Sequence, residues 1–271
     1  MRPPLLVLAV SLLAVACGGS SSPTDVVLGE TTLVVIVNPR LNDLNSASVP
    51  PPGSSRQGVK VSVEGGPSAT TDAEGVAVLP RVASGQLTLR FSGSSAPLSV
   101  NIVEKELLEL AVSMTDASAR VMAENRYPFG GQVVEVTPTM SITEVNQALN
   151  GSNKIVLFRG GTYTGDIQFN GSNVVLFGEG ANGGRVTLQG NVTLNGSNSR
   201  IRGARVTGQL SLYGSGNGLT FSQVVGKSLS DGSDGVFIGN RLCGEVLLTG
   251  GNLKVLENAG GAPLPRPTTG C

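Results

Sequence analysis

The chain contains no histidine. Mechanisms that need an imidazole base, a Ser-His-Asp or Cys-His nucleophile, or a histidine zinc ligand are therefore excluded. Carboxylate and cationic chemistry remain. The acidic residues of the C-terminal half come close in sequence only at Asp231-Gly232-Ser233-Asp234-Gly235, with Arg241 shortly after. Two carboxylates beside a guanidinium can hold Ca²⁺ and supply a base. The same residues also form an Asp-Gly turn, in which the carboxylate caps the backbone and glycine takes the left-handed conformation. The turn is favoured, because other corners of the sequence carry Asn-Gly at the matching position. No residue is assigned as catalytic, and no metal or other cofactor is expected.

Arg200, Arg202 and Arg205 form the densest cationic group. Strand alternation puts Arg200 and Arg202 on one outward face with Ile201 inward. Arg185 and Lys227 fall on a neighbouring face of adjacent repeats. Together these five residues would bind an anionic polysaccharide, a lipopolysaccharide phosphate or an acidic envelope partner. The alternative is a solvated outer face. With 19 basic and 19 acidic residues the net charge is zero, so a nucleic-acid partner is not expected.

The third chemistry is that of cysteine. The apolar run Leu5–Ala16 is too short to cross a bilayer as a helix and suits the core of a signal peptide. It ends Leu13-Ala14-Val15-Ala16-Cys17, followed by Gly18-Gly19-Ser20-Ser21-Ser22-Pro23. This resembles the lipobox of bacterial lipoproteins, although that pattern often has Leu where Ala14 stands. The resemblance implies cleavage after residue 16, a diacylglycerol on Cys17 and an acylated amino end, with multiple acyl chains giving stable membrane anchoring. Gly18 rather than Asp implies sorting to the outer membrane, on its periplasmic or surface side. The remaining Cys243 and Cys271 form an even pair in an oxidising compartment and are expected to form a disulfide, the alternative being a buried Cys243 with a free or intermolecular Cys271. The Gly/Pro-rich tail would then fold over the last repeat.

The elements that would position these groups follow from composition. Glycine is abundant (38 residues), aromatics make up only 4% and charged residues 14%, which argues for all-β structure rich in turns. At 39% apolar, the chain can still form a core. Residues 18–149 carry 8 basic and 13 acidic side chains, and residues 150–271 carry 10 and 6, so two modules with different surfaces are expected.

The first module, 29–116, has short alternating runs such as Val59–Val63 and Gln86–Phe91, the pattern of an antiparallel sandwich. The stretch Thr71-Asp72-Ala73-Glu74-Gly75 resembles the turn of carboxypeptidase-regulatory-like, prealbumin-like domains. The resemblance implies a sandwich that acts as a spacer.

The second module, 141–259, is a repeat. One strand series follows polar turns (Val174–Phe177, Arg200–Arg202, Leu219–Phe221, Val236–Ile238, Leu253–Leu256). A second starts from Gly165, Gly184, Gly208, Gly226 and Gly244, with an extra strand at Asn191–Leu194 and Leu229 one position out of phase. A period near 18 predicts a parallel β-helix of about five rungs. Its corners would carry Asn-Gly-Ser-Asn turns, with stacked Asn bonding between rungs. Ser141 and Glu144 make a capping box on a short helix ahead of Ile155–Phe158 and Gly160-Gly161-Thr162-Tyr163. This opening resembles that of pectin-lyase-like right-handed β-helices, which use a helix to cap the first rung.

The expected order is a signal peptide (1–16), a lipid-anchored linker (17–28), the sandwich (29–116), a connector (117–140), the capped β-helix (141–259) and a tail (260–271). The expected role is non-catalytic binding or structure at the cell envelope. The alternative is a surface polysaccharide lyase or hydrolase, although three Tyr and no Trp leave little for an aromatic sugar platform.

Overall fold

The computed structural model describes Val26 and residues 29–42, 56–179 and 186–260. The segment expected as a signal peptide, Cys17, Arg185 and Cys271 lie outside the described residues.

The N-terminal half is a sandwich of two four-stranded sheets. One has the order Val76–Leu79, Thr32–Val37, Glu106–Thr115, Ser118–Pro128. The other has the order Ser68–Thr70, Lys60–Val63, Gly85–Phe91, Leu98–Ile102. Every pairing is antiparallel except that of Thr32–Val37 with Glu106–Thr115. Leu33, Val35, Val61, Leu89, Leu108 and Leu110 fill the space between the sheets. The Asp72 turn forms as expected: Oδ1 accepts the N–H groups of Glu74 (3.0 Å) and Val76 (2.8 Å).

The segment expected as a connector is structural. Ser118–Pro128 is a strand of the sandwich, bulged opposite Ala111/Val112. Gln132–Val136 is the first strand of the β-helix and pairs in parallel with Lys154–Phe158. Polar and charged residues scattered through 118–128 masked the strand, because one of its faces meets water (Arg120, Glu124). The capping box is present: the Ser141 hydroxyl accepts from the Glu144 N–H at 3.3 Å, and Glu144 Oε2 accepts from the Ser141 N–H at 2.7 Å. The helix Ile142–Leu149 buries Val145 and Leu149 over the solenoid interior.

The β-helix has three faces. The first is a seven-stranded sheet running from Gln132–Val136 through Lys154–Phe158, Val174–Gly178, Arg200–Arg202, Gly218–Thr220 and Val236–Ile238 to Lys254–Leu256. The second has six strands, from Gly161–Thr164 to Ala259–Gly260, and the third five, from Ile167–Phe169 to Val246–Leu248. One expected series mixes two faces. Val186–Gln189, which follows Gly184, stacks on Gly161–Thr164 of the second face, whereas Val192–Leu194 stacks on Ile167–Phe169 of the third. The extra strand therefore belongs to the regular third-face column.

Glycine marks the corners because backbone meets backbone there. A Cβ on Gly208, Gly226 or Gly244 would lie 2.3–2.4 Å from the carbonyl oxygen of the glycine one rung before. At the corner before the first face, Asn153, Asn173, Asn198, Asp234 and Asn252 share positive φ. Asn173 Nδ2 donates to Asn153 Oδ1 at 2.8 Å, and Asn195 Nδ2 to Asn170 Oδ1 at 3.0 Å.

Val186, Leu210 and Val246 point into the interior, as alternation requires. The out-of-phase rung is resolved by polarity: Ser228 and Ser230 stack inward between Leu210/Leu212 and Val246/Leu248, and Leu229 points out. Phe237 stacks on Leu219 in the interior column of the first face. Leu210→Asp should bury an unpaired charge and unfold the protein at a cost of several kcal/mol, whereas Gln209→Asp should be near neutral. Urea unfolding compares the two, and equal effects would refute this register.

Candidate functional site

Between its two end strands, the outer side of the first face is covered by the sandwich, while Val133 and Glu135 on the first strand and Lys254 on the last stay exposed. Ile155, Leu157, Val175, Phe177, Val236 and Ile238 pack against Val34, Ile36, Val76, Leu107, Ala111 and Tyr127 of the sandwich. The molecule therefore has three apolar layers: the sandwich core, the solenoid core and the seam between them. Strands buried on both faces need continuous apolar runs rather than alternation. Thr32–Val37 and Val174–Gly178 have them.

The densest basic group lies in this seam, which corrects the expected surface patch. Arg200 and Arg202 point away from the solenoid interior, as alternation predicts, but the sandwich covers them. Arg202 and Glu109 are both 0% exposed and pair at 2.7 Å. Tyr127 Oη donates to Glu109 Oε2 at 3.1 Å and lies 2.8 Å from Thr220 Oγ1. The Arg202 guanidinium sits 5.0 Å from the Phe177 ring centroid and 5.6 Å from that of Phe221. Arg200 Nε donates to Asn125 Oδ1 at 3.1 Å, and burial lowers the Arg200 pKa. Burial and then the Glu109 carboxylate push the Tyr127 hydroxyl far above its ordinary pKa, so it stays protonated as a donor. Phe221 has positive φ, strained for a bulky residue, at the corner that carries Gly203 and Gly239 in neighbouring rungs.

The other cations of the expected patch are dispersed. Arg205 lies on the second face and bonds Gln223 Oε1 at 3.3 Å. Lys227 lies at the edge of the third face and pairs with Glu245 at 2.8 Å. Asp231 and Asp234 occupy corner positions of the repeat. Asp234 takes the left-handed conformation, and its Oδ1 accepts from Asn252 Nδ2 at 3.3 Å. Cys243 lies at the end of the second face, where its sulfur accepts from Gln223 Nε2 at 3.7 Å.

A second join lies at the far end of the solenoid. At the corner after the first face, the main-chain N–H of each rung donates to a side chain one rung on: Ala204 to Ser222 Oγ (3.2 Å), Ser222 to Asn240 Oδ1 (3.0 Å) and Asn240 to Asn258 Oδ1 (3.1 Å). Asn42 ends the ladder, accepting from the Asn258 N–H at 2.7 Å. Leu41 bridges to Leu256, and Glu257 pairs with Arg40 and Arg56. The segment Arg40–Asn42 occupies the first-face edge, and the tail expected to cover this end lies, beyond Gly260, outside the described residues.

Sequence reasoning missed Glu109, Tyr127, Thr220, Asn42 and Glu257. A usable signal was present for Glu109: a lone acid inside Leu107-Leu108-Glu109-Leu110-Ala111 needs a cation once both faces of its strand are buried. No protein-family model matches the chain, and no similar curated protein or solved structure is found.

The seam is closed to any substrate, so the Arg202–Glu109 pair acts on the fold. Arg202→Met should destabilise the protein by about 3–5 kcal/mol, because it leaves Glu109 buried and unpaired. Adding Glu109→Leu should recover much of that loss. Denaturant unfolding of both single variants and the double variant reads the coupling, and additive losses would contradict a specific pair.

Proposed function

We propose that the chain is a lipid-anchored cell-envelope protein that displays its β-helix as a binding or structural surface and performs no catalysis. The observation that carries this reading is where the chemistry-bearing side chains go. Arg202 is spent on Glu109 and Asp234 on a corner turn, while Lys227 pairs with Glu245. The outer column of the second face, including Thr162, Thr187, Arg205 and Gln223, offers repeated polar side chains at about 4.8 Å spacing, and Gln168 and Thr193 add polar groups at the start of the third face. Such a surface suits contact with an envelope protein or an anionic polysaccharide, with Arg205 as the cation.

The anchoring half of the reading rests on Leu13-Ala14-Val15-Ala16-Cys17 and the Gly/Ser tether after it. Gly18 supports the outer membrane as destination. The sandwich, with its Asp72 turn, fits a carboxypeptidase-regulatory-like spacer. The helix-capped solenoid fits the pectin-lyase-like fold, which hosts binders as well as enzymes.

Cys17→Ser should move the protein from the detergent phase to the aqueous phase, or leave it uncleaved. Unchanged partitioning would sink the anchor. In parallel, the mature protein incubated with acidic polysaccharides and Ca²⁺ should release neither unsaturated products nor reducing ends. Turnover that is lost in Asp231→Ala or Asp234→Ala would establish an enzyme instead.

A further inference from the structure

Among the described residues, Asn150, Asn170, Asn195 and Asn217 are each followed by glycine. This pairing carries a chemistry of its own. The glycine nitrogen can attack the asparagine side-chain carbonyl carbon, because no glycine side chain obstructs its approach. Three conditions favour the attack. Solvent reaches the asparagine, the attacking N–H and the departing amide are not tied up in hydrogen bonds, and a donor stabilises the charge that develops on Oδ1. The four sites meet these conditions to different degrees.

Asn217 is locked. It is 2% exposed, and its Nδ2 donates to the carbonyl oxygens of Gly196 (2.7 Å), Tyr213 (2.8 Å) and Gly214 (3.2 Å). The N–H of Gly218 is committed to Ser199 O at 2.9 Å. Asn150 is exposed at the end of the helix, but no described group donates to its Oδ1. Asn195 is exposed, but its Nδ2 is held by Asn170.

Asn170 meets all three conditions. It is exposed at the corner after Ile167–Phe169. Its Oδ1 accepts from Asn195 Nδ2, one rung on, at 3.0 Å. Among the described residues, its own Nδ2 and the N–H of Gly171 have no hydrogen-bond partner. Asn153 shows that the donor alone is not enough. Its Oδ1 accepts from Asn173 Nδ2 at 2.8 Å, but the residue after it is Lys154, whose N–H is spent on Asn173 O at 3.2 Å. The glycine after Asn170 is fixed by the stacking, since a Cβ on Gly171 would overlap the Gly151 carbonyl oxygen. The repeat therefore imposes the reactive dipeptide and, through Asn195, supplies the donor that polarises it.

We propose that Asn170 is a site of spontaneous covalent modification, converted through a cyclic imide to an aspartyl or isoaspartyl residue with Asn195 as its positioning residue. A bond forms between Gly171 N and Asn170 Cγ. The Cγ–Nδ2 bond breaks, and the amide leaves as ammonia, taking the glycine proton. Water then adds to either imide carbonyl and opens the ring to a carboxylate. Asn195 Nδ2 can donate to that carboxylate, so the corner ladder survives and its hydrogen bond becomes charge-assisted. The column then carries a negative charge at residue 170 as well as at Asp231, which occupies the same place on a later rung. None of this rests on the proposed function.

The test uses the full mature protein held at mildly alkaline pH, with peptide mapping by mass to follow amide-to-acid conversion at each asparagine. Residue 170 should convert about tenfold faster than residues 150, 195 and 217 in the native protein. In urea the four rates should converge, which shows that the fold sets the order. Asn195→Asp has the same shape but no donor, and it should slow conversion at residue 170 about tenfold. A purely structural role for Asn195 predicts the opposite, because a loosened corner would react faster. Wild-type rates at the four sites decide the matter if the variant fails to fold. Native conversion at residue 170 no faster than at residue 150 overturns the proposal. So does a rate at residue 170 that is unchanged or raised in folded Asn195→Asp.

Discussion

A carboxylate and a guanidinium locked together out of reach of water, Glu109 against Arg202, set the terms for the rest of the molecule. Neither charge is tolerable alone in that position. Each half of the chain therefore carries a group that only the other half can satisfy. The surrounding apolar contacts supply attraction without direction, and the pair with Tyr127 and Thr220 fixes one register of sheet on sheet. Phe177 and Phe221 hold the guanidinium from either side.

The same constraint gives the charge asymmetry another use. The acidic N-terminal half and basic C-terminal half suggested different external surfaces. Part of the difference is settled internally, by Glu109 with Arg202 across the seam. At the far end the signs reverse, with Arg40 and Arg56 of the first half on Glu257 of the second. Complementary charge served intramolecular docking at both places.

Local structure was legible in the sequence because its causes are local. The capping box at Ser141, the Asp72 turn, the Asn corners and the inward set Val186, Leu210 and Val246 each follow from spacing and backbone chemistry within one rung or turn. The seam was not legible, because "outward" from a strand does not say whether water or another sheet waits there. Arg200 and Arg202 were placed on the correct side of their strand and in the wrong medium. Unbroken apolar runs at Thr32–Val37 and Val174–Gly178 pointed to burial on both faces, but could not say against what. The serine rung misled for the opposite reason: inward positions are apolar by rule, and Ser228 and Ser230 break the rule between Leu210/Leu212 and Val246/Leu248.

The sandwich touches the solenoid at both extremities. Its last strand leads through Phe129 into Gln132–Val136, the first strand of the long parallel face, and Arg40–Asn42 closes on the final rung of that face. Repeat proteins commonly gain and lose units, because each unit contacts only its neighbours. Here one added or deleted rung would shift Glu257 and Asn258 by about 4.8 Å relative to Arg40 and Asn42. The N-terminal half thus works as a caliper clamped on the solenoid. Whole-repeat duplication, the cheapest route by which such folds evolve, is closed to this chain unless the caliper is rebuilt with it.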